Sequence, residues 1–196
     1  MHEQDINNRK DYIVWLVIVA LTIAAIIAYP YFNKWQNNHA IFEAVEHNNV
    51  QKTKSLLQKD ATLAKAKQEQ CHQSLVFYAK SKDMLELLMA YGVDPNNKET
   101  TNGNISILAI MASYGDIDSV KFLISKGADI DSKDDLGSTP LFCAAESGSI
   151  EVVKFLILQG ADINIIDKEG NTALRMAIKR NHKDIANLLR KHGAKE

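Results

Sequence analysis

The chain has 196 residues, 46% of them hydrophobic and 24% charged, with a formal net charge of −1. That composition can bury a sizeable core and excludes a wholly disordered chain, while the absence of a basic excess argues against a nucleic-acid partner. Two cysteines are too few for a disulfide framework.

Residues 1–11 form a short polar tail, and at Tyr12 the character changes abruptly to YIVWLVIVALTIAAIIAYPYF. No charge occurs in these 21 residues, which as a helix would span roughly 30 Å, about the hydrocarbon thickness of a bilayer. Tyr12 and Trp15 stand at one end and Tyr29, Tyr31, Phe32 and Trp35 at the other, as in the aromatic belts of a membrane span. Residues 12–32 are therefore predicted as a single transmembrane helix, with Pro30 expected to kink or stop it. A cleaved signal peptide would need a shorter apolar core and a small-x-small exit, and Ile26 stands where the first small residue is required. A buried soluble helix is the other alternative, but the repeats below offer no place for a helix apolar all round. Arg9 and Lys10 precede the span and only Lys34 follows closely, so the positive-inside rule places the N-terminus in the cytoplasm. In a bacterial cell the rest of the chain would then lie in the periplasm, anchored to the inner membrane. Residues 33–38 read as a linker with a reach of at most about 20 Å.

From residue 39 the chain repeats. Gly127, Gly160 and Gly193 are 33 residues apart, as are Leu108, Leu141 and Leu174, and Gly115 with Gly148. A period of this length marks a stacked array of supersecondary units. Residues 39–66 form a degenerate first repeat in which Ala44, Val50 and Leu56 take the places of Ala144, Ile150 and Leu156. An outermost repeat lacks a neighbour on one side, which accounts for its divergence. The second repeat, from about residue 67 to 98, puts Leu75 and Ala79 on a first helix and Met84, Leu85, Leu87 and Leu88 on a second. Its inter-helix loop is about two residues short, and the loop NNKETTNGN after it is long. The third repeat, residues 101–133, keeps Leu108, Gly115, Val120 and Leu123.

The fourth repeat, residues 134–166, shows the logic of the unit most clearly. Gly137 provides a turn residue able to take positive φ. Thr139 is placed to N-cap a helix that has Pro140 at its first position. Leu141, Ala144 and Ala145 form a small apolar stripe, and Gly148 ends that helix. Ile150, Val152, Val153, Leu156 and Ile157 follow near a 3.6-residue spacing as the face of a second helix, and Gly160 caps it. The fifth repeat, residues 167–196, keeps Thr172, Leu174, Ala177, Leu188 and Leu189 but has Asn181 for the inter-helix Gly. Arg190, Lys179, Lys183 and Lys191 make it a solvated cap.

The run G-S-T-P-L-F-x-A-A-x-x-G-x-x-x-V-V-x-F-L-I-x-x-G-A-D-I-N at residues 137–164 resembles a near-ideal ankyrin repeat, except that Phe142 stands where the family usually has His. The resemblance covers roughly residues 39–196 and implies an all-α solenoid of about five helix-turn-helix repeats, preceded here by the transmembrane helix. It also implies a use, protein binding through turn tips and the exposed ends of first helices, and no chemistry. Carried over position by position, the partner-binding residues are Asn102, Gly103, Ile105, Ser113 and Tyr114 in the third repeat. They are Lys133, Asp135, Leu136, Ser138, Glu146 and Ser147 in the fourth, and Ile166, Lys168, Glu169, Asn171, Lys179 and Arg180 in the fifth. Of these, Ile105, Tyr114, Leu136 and Ile166 are apolar where the scaffold does not require it, and several such residues on one side suggest a contact patch.

Catalytic and metal patterns are missing from the sequence. The six His residues (2, 39, 47, 72, 182 and 192) include no His-x-x-x-His pair and none has a Cys partner at ligand spacing. His47 and His182, at the ends of first helices, read as solvated loop residues. Cys71 and Cys143 lie two repeats apart, on the order of 20 Å for helices stacked at 8–10 Å, beyond disulfide reach. The expected protein is non-enzymatic and cofactor-free: a membrane-tethered module, with a monomeric soluble domain, that holds a partner protein near the bilayer. An inhibitor or immunity protein for a toxin or lipase fits this layout, and so does a scaffold for an envelope or stress-defence enzyme; the competing classes are an enzyme of unrecognised type, for which no motif speaks, and a purely structural anchor.

Overall fold

The structure, a computed structural model, describes residues 2–67, 73–99 and 103–195, with side chains from Thr22 onward. The chain divides into two compact units, Met1–Ile41 and Phe42–Glu196.

The first unit is a single helix, α1 (His2–Glu46), whose last turn belongs to the second unit. Of the two outcomes expected at Pro30, a kink or a stop, the stop does not occur: Pro30 lies inside α1. Residues 33–38, expected as a linker, are helical as well. The stretch NKWQNN contains neither Gly nor Pro, and once a helix is nucleated each further residue is added at little cost. Ile23, Ile26, Ile27, Tyr29, Tyr31, Phe32 and Trp35 are all about half exposed or more along it. Among the described residues no helix is long and apolar enough to cross a membrane. Residues 12–21 of the expected span lie outside the residues whose side chains are described.

The second unit is a two-layer stack. The end of α1 pairs with α2 (Val50–Lys59), followed by a 3-10 turn at Ala61–Lys65. A second 3-10 turn, Leu75–Tyr78, precedes α3 (Lys82–Ala90). Three regular helix pairs complete it: α4 (Ile107–Tyr114) with α5 (Ile117–Ser125), α6 (Pro140–Ser147) with α7 (Ile150–Leu158), and α8 (Ala173–Lys179) with α9 (Lys183–Lys191). First helices stack as α4 on α6 on α8, and second helices as α2, α3, α5, α7 and α9. The core lies between the layers. Leu108, Leu141 and Leu174 are at most 1% exposed, and Leu123, Leu156 and Leu189 are fully buried.

Local chemistry accounts for each pair. Ser106, Thr139 and Thr172 N-cap the first helices, their hydroxyls accepting from Ala109 N, Phe142 N and Arg175 N at 3.2–3.3 Å. Gly115 and Gly148 end α4 and α6 in the left-handed region, at φ 72° and 85°. Asn48 and Asn181 hold the same place at φ 53° and 64°, since Asn tolerates this conformation better than other residues with a Cβ. The next repeat seats a side chain on this joint. A Cβ on Gly115 would lie 2.9 Å from Ser149 Oγ, and one on Gly148 would lie 2.7 Å from His182 Cε1. At Asn48 the same seat is taken by Ser81, whose hydroxyl bonds Asn48 Oδ1 at 2.7 Å.

Three departures from the expected pattern have local causes. The first helix of the second repeat shrinks to the turn Leu75–Tyr78, because the short loop offers no left-handed residue before Ser81 caps α3. Phe42 and Tyr78 still close this place edge to face, with ring centroids 5.3 Å apart. The second departure is in α2, which buries Thr53 and Leu57, four apart and so on one face, and leaves Leu56 half-buried. The third is a short antiparallel pair in an otherwise helical fold, β1 (Lys98–Glu99) with β2 (Ile105–Ser106), in register Lys98↔Ser106. Gly103 and Asn104, both at positive φ, lie on the return side of this long loop. Cys71 lies outside the described residues, so its expected separation from Cys143 does too.

The core position of Leu141 leads to a direct test. Leu141→Ala should cost about 2–5 kcal/mol in a denaturant titration, whereas Lys179→Ala, on an exposed position, should stay within roughly 0.5 kcal/mol. Equal effects would mean that the repeat register is misassigned.

Candidate protein-binding surface

Between consecutive helix pairs the chain runs out as a finger and back, and the fingers of the third, fourth and fifth repeats are bonded one to the next at base and tip. At the tip of the fourth repeat Asp134 makes an Asx turn, its Oδ1 accepting from Leu136 N and Ser138 N at 2.9 and 2.7 Å. Asp167 repeats this in the fifth, accepting from Glu169 N at 2.9 Å and Asn171 N at 2.7 Å. Burial works against the charge of the Asp167 carboxylate. The donors from Asn171 and Glu169, with Lys179 nearby, outweigh it and hold the pKa below the usual value. Successive tips are stitched through the backbone: Asp135 N donates to Gly103 O at 2.7 Å and Lys168 N to Leu136 O at 2.8 Å. The tips therefore form one continuous bonded edge.

The base uses a side-chain ladder. Asn96 bridges the next repeat, donating from Nδ2 to Gly127 O at 3.1 Å and accepting from Asp129 N at 2.8 Å. Asn164 does the same with Gly193 O and Lys195 N, at 3.4 and 2.9 Å. Asp131 occupies the equivalent place between them and accepts from Asp162 N at 3.1 Å. As a carboxylate it has no N–H to offer the Gly160 carbonyl. Burial, then the neighbouring charges of Asp162 and Asp129, raise its pKa against the opposing hydrogen bond from Asp162 N and the charge of Lys133.

On this frame the predicted binding residues separate into two groups. Many serve the fold. Asp135 Oδ1 accepts from Asn104 Nδ2 at 2.8 Å, and the Asn171 amide bonds Asp167 and Glu169. Ser113 and Ser147 turn their hydroxyls back onto Ile110 O and Ala144 O. Glu146 and Arg180 form an ion pair across adjacent repeats. Ser138 is buried, 7% exposed, because its amide closes the Asp134 turn; it presents little surface to a partner. Ile105 is half-buried in β2.

The second group faces solvent. Tyr114 is 72%, Leu136 61% and Ile166 60% exposed, and Lys133, Lys168, Glu169 and Lys179 are exposed beside them in sequence or on the neighbouring tip. Asn102 lies outside the described residues.

Two exposed apolar residues escaped the sequence reading, Leu158 at 76% and Ile178 at 48%. For Leu158 the signal was available: its equivalents 33 residues away are Ser125 and Lys191. His182, read as a solvated loop residue, is half-buried on Gly148, with Nε2 at 3.0 Å from the Glu146 carbonyl. Cys143 sits within α6, where burial, followed by the charges of Asp134 and Glu146, pushes the thiol up to about 12, so it remains protonated and unreactive at neutral pH.

Paired helices with a bonded finger between successive pairs define a helical repeat solenoid. The class has a name over part of the chain: residues 107–196 match the family model of ankyrin repeats, in three copies. The match covers the three regular helix pairs; the two irregular repeats before them, included in the sequence resemblance, fall outside it. No curated protein matches the chain. Ankyrin repeats generally mediate protein–protein interaction.

The Asp131 position yields a second test. Asp131→Asn restores the missing donor to Gly160 and should stabilise the fold by about 1 kcal/mol at neutral pH. A carboxyl with a raised folded-state pKa contributes stability below its unfolded pKa and loses it as pH rises through the folded one. The gain from Asp131→Asn should therefore shrink when the melts are repeated near pH 3, where Asp131 is protonated in both states. An equal gain at both pH values would exclude the carboxylate as its source.

Proposed function

We propose that the protein is a membrane-tethered binding module that captures a partner protein on the finger edge of its repeats. The observation carrying the binding half is the exposure of three large apolar side chains: Leu136 and Ile166 on fingers that are locked to one another by hydrogen bonds, and Tyr114 at the C-terminal end of α4. Affinity in protein interfaces concentrates in a few such anchors, and a pre-ordered edge loses little freedom on binding. The tethering half rests on the uncharged stretch 12–32 and on the exposed apolar side chains of α1 from Ile23 to Phe32. In this reading the N-terminus is cytoplasmic and the repeats lie across the inner membrane of a bacterial cell. A binder held there suits an inhibitor or immunity protein that meets a toxin or lipase at the bilayer, or a scaffold for an envelope enzyme.

Two experiments bear on this. Tagged chain extracted from membranes should bring down its partner. Tyr114→Ala or Leu136→Asp should weaken that capture by about 1–2 kcal/mol or more with thermal melts unchanged. Capture unaffected by the double variant would remove this edge as the binding surface. For the tether, the chain should stay with the membrane pellet after alkaline carbonate, and a C-terminal reporter should be active only outside the cytoplasm. Release into the supernatant contradicts the anchor, and cytoplasmic reporter activity reverses the orientation.

A further inference from the structure

The uncharged stretch ends at Phe32, and the residues immediately after it carry an ordered aromatic face. Phe32 and Trp35 stack with ring centroids 6.3 Å apart and planes 22° apart. Trp35 and His39 stack in turn at 5.7 Å and 3°. The spacing of three and then four residues keeps all three rings on one face of α1. Phe32 is 55% and Trp35 49% exposed, and His39 is also exposed. Lys34, the first charge after residue 12, lies among them. Rings of this kind are amphipathic: the indole and imidazole each pair an apolar body with a polar N–H, which suits the zone between acyl chains and water.

We infer that Phe32, Trp35 and His39 form a stacked aromatic face that docks into the headgroup–acyl boundary of a lipid bilayer and fixes the depth of α1. The inference rests on the tethering reading above and adds the docking surface and its position along the helix. The length of the uncharged stretch selects the occupant. Set with its charge-free residues in hydrocarbon, α1 brings Trp35 to the boundary with no adjustment of tilt. Beyond Trp35 the side chains at 36–40 include Gln36, Asn37 and Asn38, which belong in water.

The full chain carrying Trp15→Phe, so that Trp35 is the sole fluorophore, tests this in phosphatidylcholine vesicles. Flotation establishes association, and lipids brominated either near the glycerol backbone or near the chain ends then report depth. The expected result is flotation with Trp35 quenched several-fold more by the shallow bromines than by the deep ones. Flotation with stronger quenching by the deep bromines places Trp35 in the hydrocarbon and overturns the inference while leaving the tether standing. Flotation with quenching by aqueous iodide but by neither lipid places Trp35 in water, with the same consequence. Flotation without quenching by either lipid or by iodide means that a second copy of α1 covers the rings, and also overturns it. A chain that fails to float overturns both readings.

Discussion

The stack depends on close approach at the joint between the two helices of each repeat. A first helix must end in the left-handed region so that the chain can reverse, and the side chain that opens the second helix of the following repeat lies directly on that residue. At Gly115 and Gly148 the approach leaves no room for a Cβ: the seats are filled by Ser149 and His182 within 3 Å of where it would stand. Where Asn replaces Gly at position 48, the seated residue is a small Ser81 that turns the contact into a hydrogen bond. Joint residue and seated residue are thus a coupled choice across 33 or 34 positions. This coupling sets the offset of one pair on the next and so the alignment of the leucine columns between the layers.

Much of this was legible from residue type alone. Thr139 and Thr172 cap as expected, Asn181 takes the left-handed joint, and the leucines at the 33-residue interval form the core. What could not be read depends on contacts between repeats. His182 looks like any polar loop residue until Gly148 is placed beneath it. Ser138 looks like a tip residue until the Asp134 turn draws its amide inward. In the second repeat the apolar spacing of Leu75 and Ala79 is helical, yet the chain after Tyr78 has too few residues and no left-handed one to let a helix run on. Apolar periodicity reports which side chains are buried; it does not report whether the connecting loop can reverse the chain. Pro30 does not stop α1 for a related reason. Loss of one N–H and a clash with the preceding turn weaken a helix, but α1 has enough turns on either side to carry the defect.

The separation of the finger residues into two groups follows from the same physics. A polar residue at a solvent-facing repeat position has a choice between water, a partner and the neighbouring finger. Asp135, Asn171, Glu146 and Arg180 take the neighbouring residues or repeat, which residue type and repeat position cannot distinguish from a binding role. An apolar residue has no such internal use. Leu136 and Ile166 stay exposed on fingers that the backbone bonds Gly103–Asp135 and Leu136–Lys168 hold in place, and Tyr114 stays exposed at the end of α4.

Those bonds also decide how the edge would behave in recognition. A loop that orders only on contact gives up part of the interaction free energy to its own lost freedom, by about 0.5–1.5 kcal/mol for each side chain immobilised. Here the fingers of the fourth and fifth repeats are held within themselves by Asx turns and to a neighbouring finger by a backbone bond, so the backbone part of that ordering has been met in folding and the exposed side chains alone remain to be fixed. The lowered pKa of Asp167 points the same way, because a carboxylate held by three donors resists the protonation that would release its turn. The base ladder is less uniform. Asp131 leaves one joint with a single kind of hydrogen bond where the joints at Asn96 and Asn164 have two. Of the three base joints, the one from Asp131 to Asp162 is therefore the least constrained, and whatever adjustment the fingers make to a partner is most easily made there.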